Sequence, residues 1–436
     1  MGPLTKKTDS NLCERFLALP NELQAQIVAS LPLHDILNLR LASRSFHALI
    51  TLNENPIARF HVKHSLPTYT LRLYPLPSPT EITLHYVCGI WHRLHVAAKL
   101  SRMIAAQATK EIFLRTTEAQ RREFEPQHTR MRQRLMPLVF TLFHFFETYR
   151  DLHVQQLAVE GTTLGRWPYT LNPIESRVMD MYDDQTLLKV HQVFPLVLSS
   201  FSRRLRPPSY AGRIEKTLKG YLRDRPPDEV FATILAVGGL RQAQRFWETK
   251  GYNARRAAVD TWYNFIARDP VEPPQKAKRS LISHLGRKKH SLANGSTTEV
   301  AVHDATSCQE WFCVKPSCST AQRQQILVIP TPPLLSSLTA GPPMRPLSLE
   351  QLRLLLPDLQ PLTNIWLQTA EALILERRIV ERTQDIKRNT QVLLELIKDD
   401  GTDGIDDWIH ANTLERSTTI ASTAADSINN SGTISD

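Results

Sequence analysis

Residues Leu17 to Ile50 read LALPNELQAQIVASLPLHDILNLRLASRSFHALI, and the reading of this stretch decides the fold. Leu19-Pro20 opens a helix, since a proline at the first helical position gives up an amide hydrogen that has no partner there. Leu19, Leu23, Ile27 and Leu31 recur every four residues and place an apolar stripe on one face, and Pro32 stops the helix. Asp35 is positioned to cap a short second helix through its side-chain oxygen. A third helix carries Leu39, Ala42, Phe46, Leu49 and Ile50 at helical spacing, with Arg40, Arg44 and His47 off that face, and ends at Asn53 and Pro56. Three short helices in about 35 residues are too few for a stable core of their own, so the segment needs a partner surface. Val28, Leu33, Ile36, Leu37 and Leu41 lie outside the stripes, an apolar excess that reads as docking surface.

The order and spacing of Leu19-Pro20-x-Glu22-Leu23, Ile27, Leu31, Asp35, Leu37, Leu39-Arg40, Ser43-Arg44 and Phe46 resemble the F-box. The resemblance covers residues 15–55. It implies a three-helix module that binds the Skp adaptor and, through it, a cullin, within an SCF-type ubiquitin ligase. It also implies adaptor-binding or F-box core roles for Leu19, Pro20, Leu23, Ile27, Leu31, Leu37 and Leu39, two roles that sequence alone does not separate. His34 departs mildly from the small or polar residue often seen before the acidic position.

At 436 residues and 42% hydrophobic, the chain has room for a recognition domain after that module. The formal charge is +10, unevenly spread: the tail from 399 onward holds Asp399, Asp400, Asp403, Asp406, Asp407, Glu415, Asp426 and Asp436 against Arg416, so the remainder is more basic than the total. Five cysteines, Cys13, Cys88, Cys308, Cys313 and Cys318, form no disulfide framework and fit a reducing compartment. The N-terminus lacks the apolar core of a signal peptide, and Lys6 stands where a myristoylated Gly2 would want Ser or Thr. The most apolar run, Leu135 to Phe146, is too short for a bilayer and holds Pro137 and His144, so no membrane partner is expected. The expected location is intracellular, in the nucleus, the cytoplasm or both.

The fold expected is mainly α: a flexible N-terminus (1–14), the F-box (15–55), a Pro-rich linker (56–80), an irregular helical body (81–268), a mostly disordered insertion (269–346), C-terminal helices (347–398) and a disordered acidic Ser/Thr-rich tail (399–436). In the linker, Tyr69 to Tyr74 alternates weakly enough for one short strand. Helical patterns run over Glu81–Phe124 and, most regularly, Met131–Val159, where Leu135, Leu138, Val139, Leu142, Phe145, Phe146, Tyr149 and Leu152 recur at spacings of three and four. Asp228 caps a helix through Ile234 that Gly238-Gly239 breaks, and Ser348-x-x-Gln351 fits a capping box. Pro361 begins one long helix to about Lys398. No fixed-period repeat is evident.

The sequence contains no phosphate-binding loop, nucleophile elbow or kinase signature set, so no catalytic residue is expected and no cofactor is implied. His303, Cys308, Cys313 and Cys318 are the candidate metal ligands weighed, but zinc sites usually hold cysteines in tighter pairs, and Trp311 and Phe312 between them suit packing; a metal is not expected. Cys88, His92 and His95, and His61 with His64, read as ordinary, partly exposed helix residues. Lys276, Lys278 and Arg279, followed by Arg287, Lys288 and Lys289, resemble a bipartite nuclear-import signal. Without interleaved aromatics, nucleic acid is not an expected partner.

The sequence thus points to a non-catalytic substrate receptor that binds the Skp adaptor through the F-box and an unknown protein substrate through the helical body. The alternative is a Skp-bound nuclear scaffold or transcription regulator outside ubiquitin transfer, and a helical enzyme has no motif in its favour. Composition and lack of repeats resemble F-box proteins of filamentous fungi with unclassified helical C-terminal regions.

Overall fold

The computed structural model describes residues 12–160, 171–207, 225–267 and 347–399, and among these all regular structure is helical, with no strand. The N-terminal segments are α1 (Leu12–Leu17), α2 (Asn21–Ala29), α3 (Leu33–Ala42), α4 (Arg44–Leu52), α5 (Glu54–His64) and α6 (Thr68–Leu73). The body follows with α7 (Leu84–Glu111), α8 (Glu118–Glu123), α9 (Glu125–Glu160), α10 (Pro173–Met179), α11 (Asp184–Arg204), α12 (Asp228–Thr233), a π-helical turn (Ile234–Gly238), α13 (Gly239–Glu248) and α14 (Tyr252–Ala267). Among the described residues 347–399 the α-helices are α15 (Leu349–Leu355), α16 (Leu367–Glu376) and α17 (Thr390–Ile397).

α7 and α9 form the axis. Each carries an apolar stripe at spacings of three and four, and burial of those stripes against each other is the main reason both hold as long helices. Phe113 and Phe124 meet at 5.0 Å where the short connection turns, and Arg93 reaches Glu147 farther along, so the two helices run antiparallel. In α9 Leu135, Leu138, Val139, Leu142, Phe145, Phe146 and Tyr149 are all buried. Around them pack α10, α11, α13, α15 and α17. Trp366, fully buried at the entrance to α16, lies 4.7 Å from Phe145 edge-on and 5.8 Å from Phe194.

A polar knot sits inside this core. Arg93 donates from Nε and Nη2 to the Glu147 carboxylate at 2.9 and 2.7 Å, and the Tyr74 hydroxyl donates to the same carboxylate at 2.7 Å. The Tyr86 hydroxyl donates to the Tyr74 carbonyl at 2.8 Å, and the Arg93 guanidinium lies 4.6 Å from the centre of the Tyr74 ring. A bidentate, charge-assisted pair suits such a buried place because both charges keep hydrogen-bond partners after leaving water. Since Tyr74 follows α6, the knot ties the N-terminal helices to the α7–α9 pair.

Several expectations are corrected. The proline-rich stretch 56–80 contains most of α5 and all of α6, and Tyr69–Tyr74 is helical over all but its last residue instead of a strand. Pro67 sits at the N-cap of α6 and Pro56 in the first turn of α5, positions where a missing amide hydrogen costs nothing. The long helix from Pro361 to Lys398 is instead α16 and α17 with turns around them, and Trp366, Arg378 and Asn389 have positive φ of 73°, 54° and 53°, which an uninterrupted helix does not permit. Asp228 is the first residue of α12, capped at Pro227, and Gly239 (φ 66°) begins α13 after the π turn. The Ser348 capping box forms: Ser348 Oγ accepts from the Gln351 amide at 3.2 Å, and Gln351 Oε1 from the Ser348 amide at 2.9 Å. The expected insertion 269–346, most of the tail after 399 and residues 1–11 lie outside the described residues.

Candidate functional site

The site is built on α2, α3 and α4. Pro20 and Pro32 stand at the N-caps of α2 and α3, one place earlier than a proline at the first helical position, and α2 ends at Ala29, before Pro32. Asp35 lies inside the first turn of α3 rather than at its cap, beside His34 at 3.1 Å, where its charge faces the positive end of the helix. Ser43 caps α4, its hydroxyl accepting from the Phe46 amide at 3.2 Å.

Burial separates the seven residues the sequence left together. Leu19, Leu23 and Ile27 are 37%, 46% and 44% exposed, Pro20 is exposed, and Leu31, Leu37 and Leu39 are half-buried against the core. Three of the stripe's four residues, Leu19, Leu23 and Ile27, therefore face outward, while Leu31 packs on the core. Conversely Val28, Leu33 and Ile36, expected as docking excess, are buried, while Leu41 is 72% exposed. They are core because the module has a partner within the chain. Their cluster continues through Ile50, Ile57 and Val62 into Val87, Cys88 and Ile90 of α7. An exposed row of Leu and Ile on a helix otherwise buried on its opposite face is an apolar surface open to a partner.

The outward row is held by polar groups that the periodicity did not reveal. Gln24, buried, donates to the Leu17 and Leu19 carbonyls at 3.0 and 2.7 Å and fixes the turn into α2. Asn21 and Asn53 exchange side-chain hydrogen bonds at 3.3 and 3.0 Å, and Asn53 also donates to the Leu49 carbonyl at 2.9 Å. At the seam with the body, Glu54 Oε1 accepts from the Leu84 amide at 2.8 Å, and Asn55 donates to the carbonyls of Pro79, Thr80 and Ile82 at 3.0 to 3.3 Å. The signal in sequence was the polar run Asn53-Glu54-Asn55, read there only as the end of a helix.

Cys88 and His61 are buried rather than partly exposed. Burial, reinforced by nearby Glu54, pushes the Cys88 thiol up to about 12, so it stays protonated. Burial likewise lowers His61 to about 4, and its Nδ1 lies 2.9 Å from the Ser65 hydroxyl. Among the described residues no group of three or more His, Cys, Asp and Glu is arranged to hold a metal, and no helix is long and apolar enough to cross a membrane. His303, Cys308, Cys313 and Cys318, and the basic residues Lys276, Lys278, Arg279, Arg287, Lys288 and Lys289, lie outside the described residues.

A family model for the F-box domain matches residues 16–57, the span of α2, α3 and α4 with the first residues of α5. F-box domains are the elements that bind the Skp adaptor in SCF-type ligases generally. No curated protein and no solved structure matches the chain.

Proposed function

We propose that this protein is a non-catalytic substrate-recognition subunit of an SCF-type ubiquitin ligase, acting in the nucleus, the cytoplasm or both. In this reading Leu19, Pro20, Leu23 and Ile27 contact the Skp adaptor, Leu31, Leu37 and Leu39 position that surface from behind, and the adaptor brings a cullin. The helical body presents the target, and Lys276, Lys278, Arg279, Arg287, Lys288 and Lys289 direct nuclear import.

The observation that carries the reading is the outward row Leu19, Leu23 and Ile27 on a module whose buried face is already covered by the body. Such a row loses free energy in water and regains it when covered, by roughly 25 cal/mol per Å² of apolar surface removed. The continuous core between module and body also suits a receptor, because a target held on the body is then presented at a fixed distance from the adaptor. The test is affinity purification of the full-length protein, and of a Leu23→Asp/Ile27→Asp variant, with and without proteasome inhibition. The wild type brings down adaptor and cullin with proteins enriched by inhibition, and the variant loses the first two while retaining the last. Adaptor without cullin would contradict the ligase role and favour the scaffold.

A further inference from the structure

One buried side chain shapes the turn that leads into α2. α1 ends at Leu17 and α2 begins at Asn21. Over that turn the Leu19 amide donates to the Phe16 carbonyl at 3.1 Å, and the Phe16 ring rests 5.7 Å from Phe46 of α4. Gln24, buried on α2, closes the turn: its Nε2 donates to the Leu17 carbonyl at 3.0 Å and to the Leu19 carbonyl at 2.7 Å. The Leu17 carbonyl stands at the end of α1, where a helix has no backbone donor left for it. Both hydrogens of one amide are thus used on one turn. The carbonyls converge on Gln24 while the side chains stay outside: Leu17 is 38% exposed and Leu19 37%, close to the 46% and 44% of Leu23 and Ile27.

We propose that Leu17 is a further contact for the Skp adaptor, and that Gln24 is the positioning residue that holds Leu17 and Leu19 ready for it. The inference rests on the adaptor-binding reading of the outward row and extends that row by one residue toward the N-terminus. The turn lies within the span matched by the F-box model, so it is continuous with the surface assigned to the adaptor. An apolar side chain would fill a buried place on α2 without needing acceptors. An amide there stabilises only the conformation in which both carbonyls turn toward it, because a buried donor left without an acceptor is costly. A surface already held in its bound shape loses no freedom when the partner arrives, a saving of about tenfold in affinity for two side chains that would otherwise be ordered on binding.

The probe is a purified Skp adaptor, immobilised and titrated with full-length protein by surface plasmon resonance. Wild type is compared with Leu17→Ala, Gln24→Met, the Leu17→Ala/Gln24→Met double variant, and Val159→Ala, a control that truncates an 84% exposed residue in the last turn of α9. Gln24→Met keeps the length of the side chain and removes both donors. Hydrogen exchange of the free proteins separates a local change over residues 16–19 from a general loss of structure. Leu17→Ala and Gln24→Met are each expected to bind about tenfold more weakly, with the control unchanged. Gln24→Met should speed exchange over 16–19 while α7 and α9 stay protected. In its background Leu17→Ala should cost about threefold or less, because a leucine no longer held contributes little. Wild-type affinity in either single variant, a double variant whose loss is the product of the two single losses, or lost protection throughout α7 and α9 in Gln24→Met overturns the proposal. Failure of the wild type to bind the adaptor would instead overturn the adaptor reading itself.

Discussion

Replacing Glu147 by Ala should be among the most damaging single changes in the body. The carboxylate accepts two hydrogen bonds from Arg93 and one from Tyr74, and Arg93 is buried. Truncation leaves a guanidinium in the core without this counter-charge, and breaking a buried pair from one side costs about 3–5 kcal/mol. Burial raises the Tyr74 hydroxyl well above its ordinary pKa, so it remains a neutral phenol that has lost its acceptor. For a chain of this size each kcal/mol moves the melting temperature by about 2–4 °C or less, so a fall of about 10 °C is expected. Urea unfolding of wild type, Glu147→Ala, Glu147→Leu, Arg93→Met and the Arg93→Met/Glu147→Leu double variant measures the coupling. The double variant should recover part of the loss, because an apolar pair of similar volume has no charge to desolvate. A loss below about 1 kcal/mol for Glu147→Ala, or strictly additive effects, would refute the argument.

Three further outcomes follow from individual sites. Glu175 is fully buried and accepts from the Trp366 amide at 3.3 Å and the Thr369 hydroxyl at 2.6 Å, and burial pushes its carboxyl up to about 7 from an ordinary 4.5. The folded chain therefore holds this proton where the unfolded chain has released it, so stability falls as pH rises from about 4.5 to 7 and levels off above. Glu175→Gln should flatten that slope in urea titrations at several pH values and gain about 1–3 kcal/mol at pH 8 relative to wild type. A Cβ at Gly238 would lie 2.7 Å from Gln242 Cβ and 3.0 Å from Trp262 Cζ2, so Gly238→Ala should cost about 1–3 kcal/mol in the same assay. Ser348→Ala removes the cap of α15 and should cost about 0.5–2 kcal/mol, with faster amide exchange confined to Leu349–Leu355.

Much of the fold was legible where burial follows a helical period. The stripe from Leu135 to Leu152 located α9 because apolar residues at three and four spacings have no other use inside a helical body. The same logic failed at the N-terminal module, where period identifies a face without saying what covers it. Leu19, Leu23 and Ile27 have the spacing of a core stripe and face solvent, while Val28 and Ile36 looked surplus until α5 and α7 supplied their partners. Proline misled between 56 and 80, since at a helix start it marks an element rather than its absence. The breaks at Trp366, Arg378 and Asn389 left no mark, because none of these residues is the glycine that usually announces a left-handed turn.

The central claim is that the outward row on α2 is a binding surface and not part of the core. Leu23 and Ile27 are almost half exposed, so Leu23→Asp/Ile27→Asp should leave the urea midpoint of the full-length protein nearly unchanged, within about 1 kcal/mol. The decisive measurement is calorimetric titration of that folded variant and of the wild type with a purified Skp adaptor. The account predicts tight binding by the wild type and loss of at least about a hundredfold in the variant, since two charges would be buried in an apolar interface. Equal affinity of the two folded proteins would contradict it.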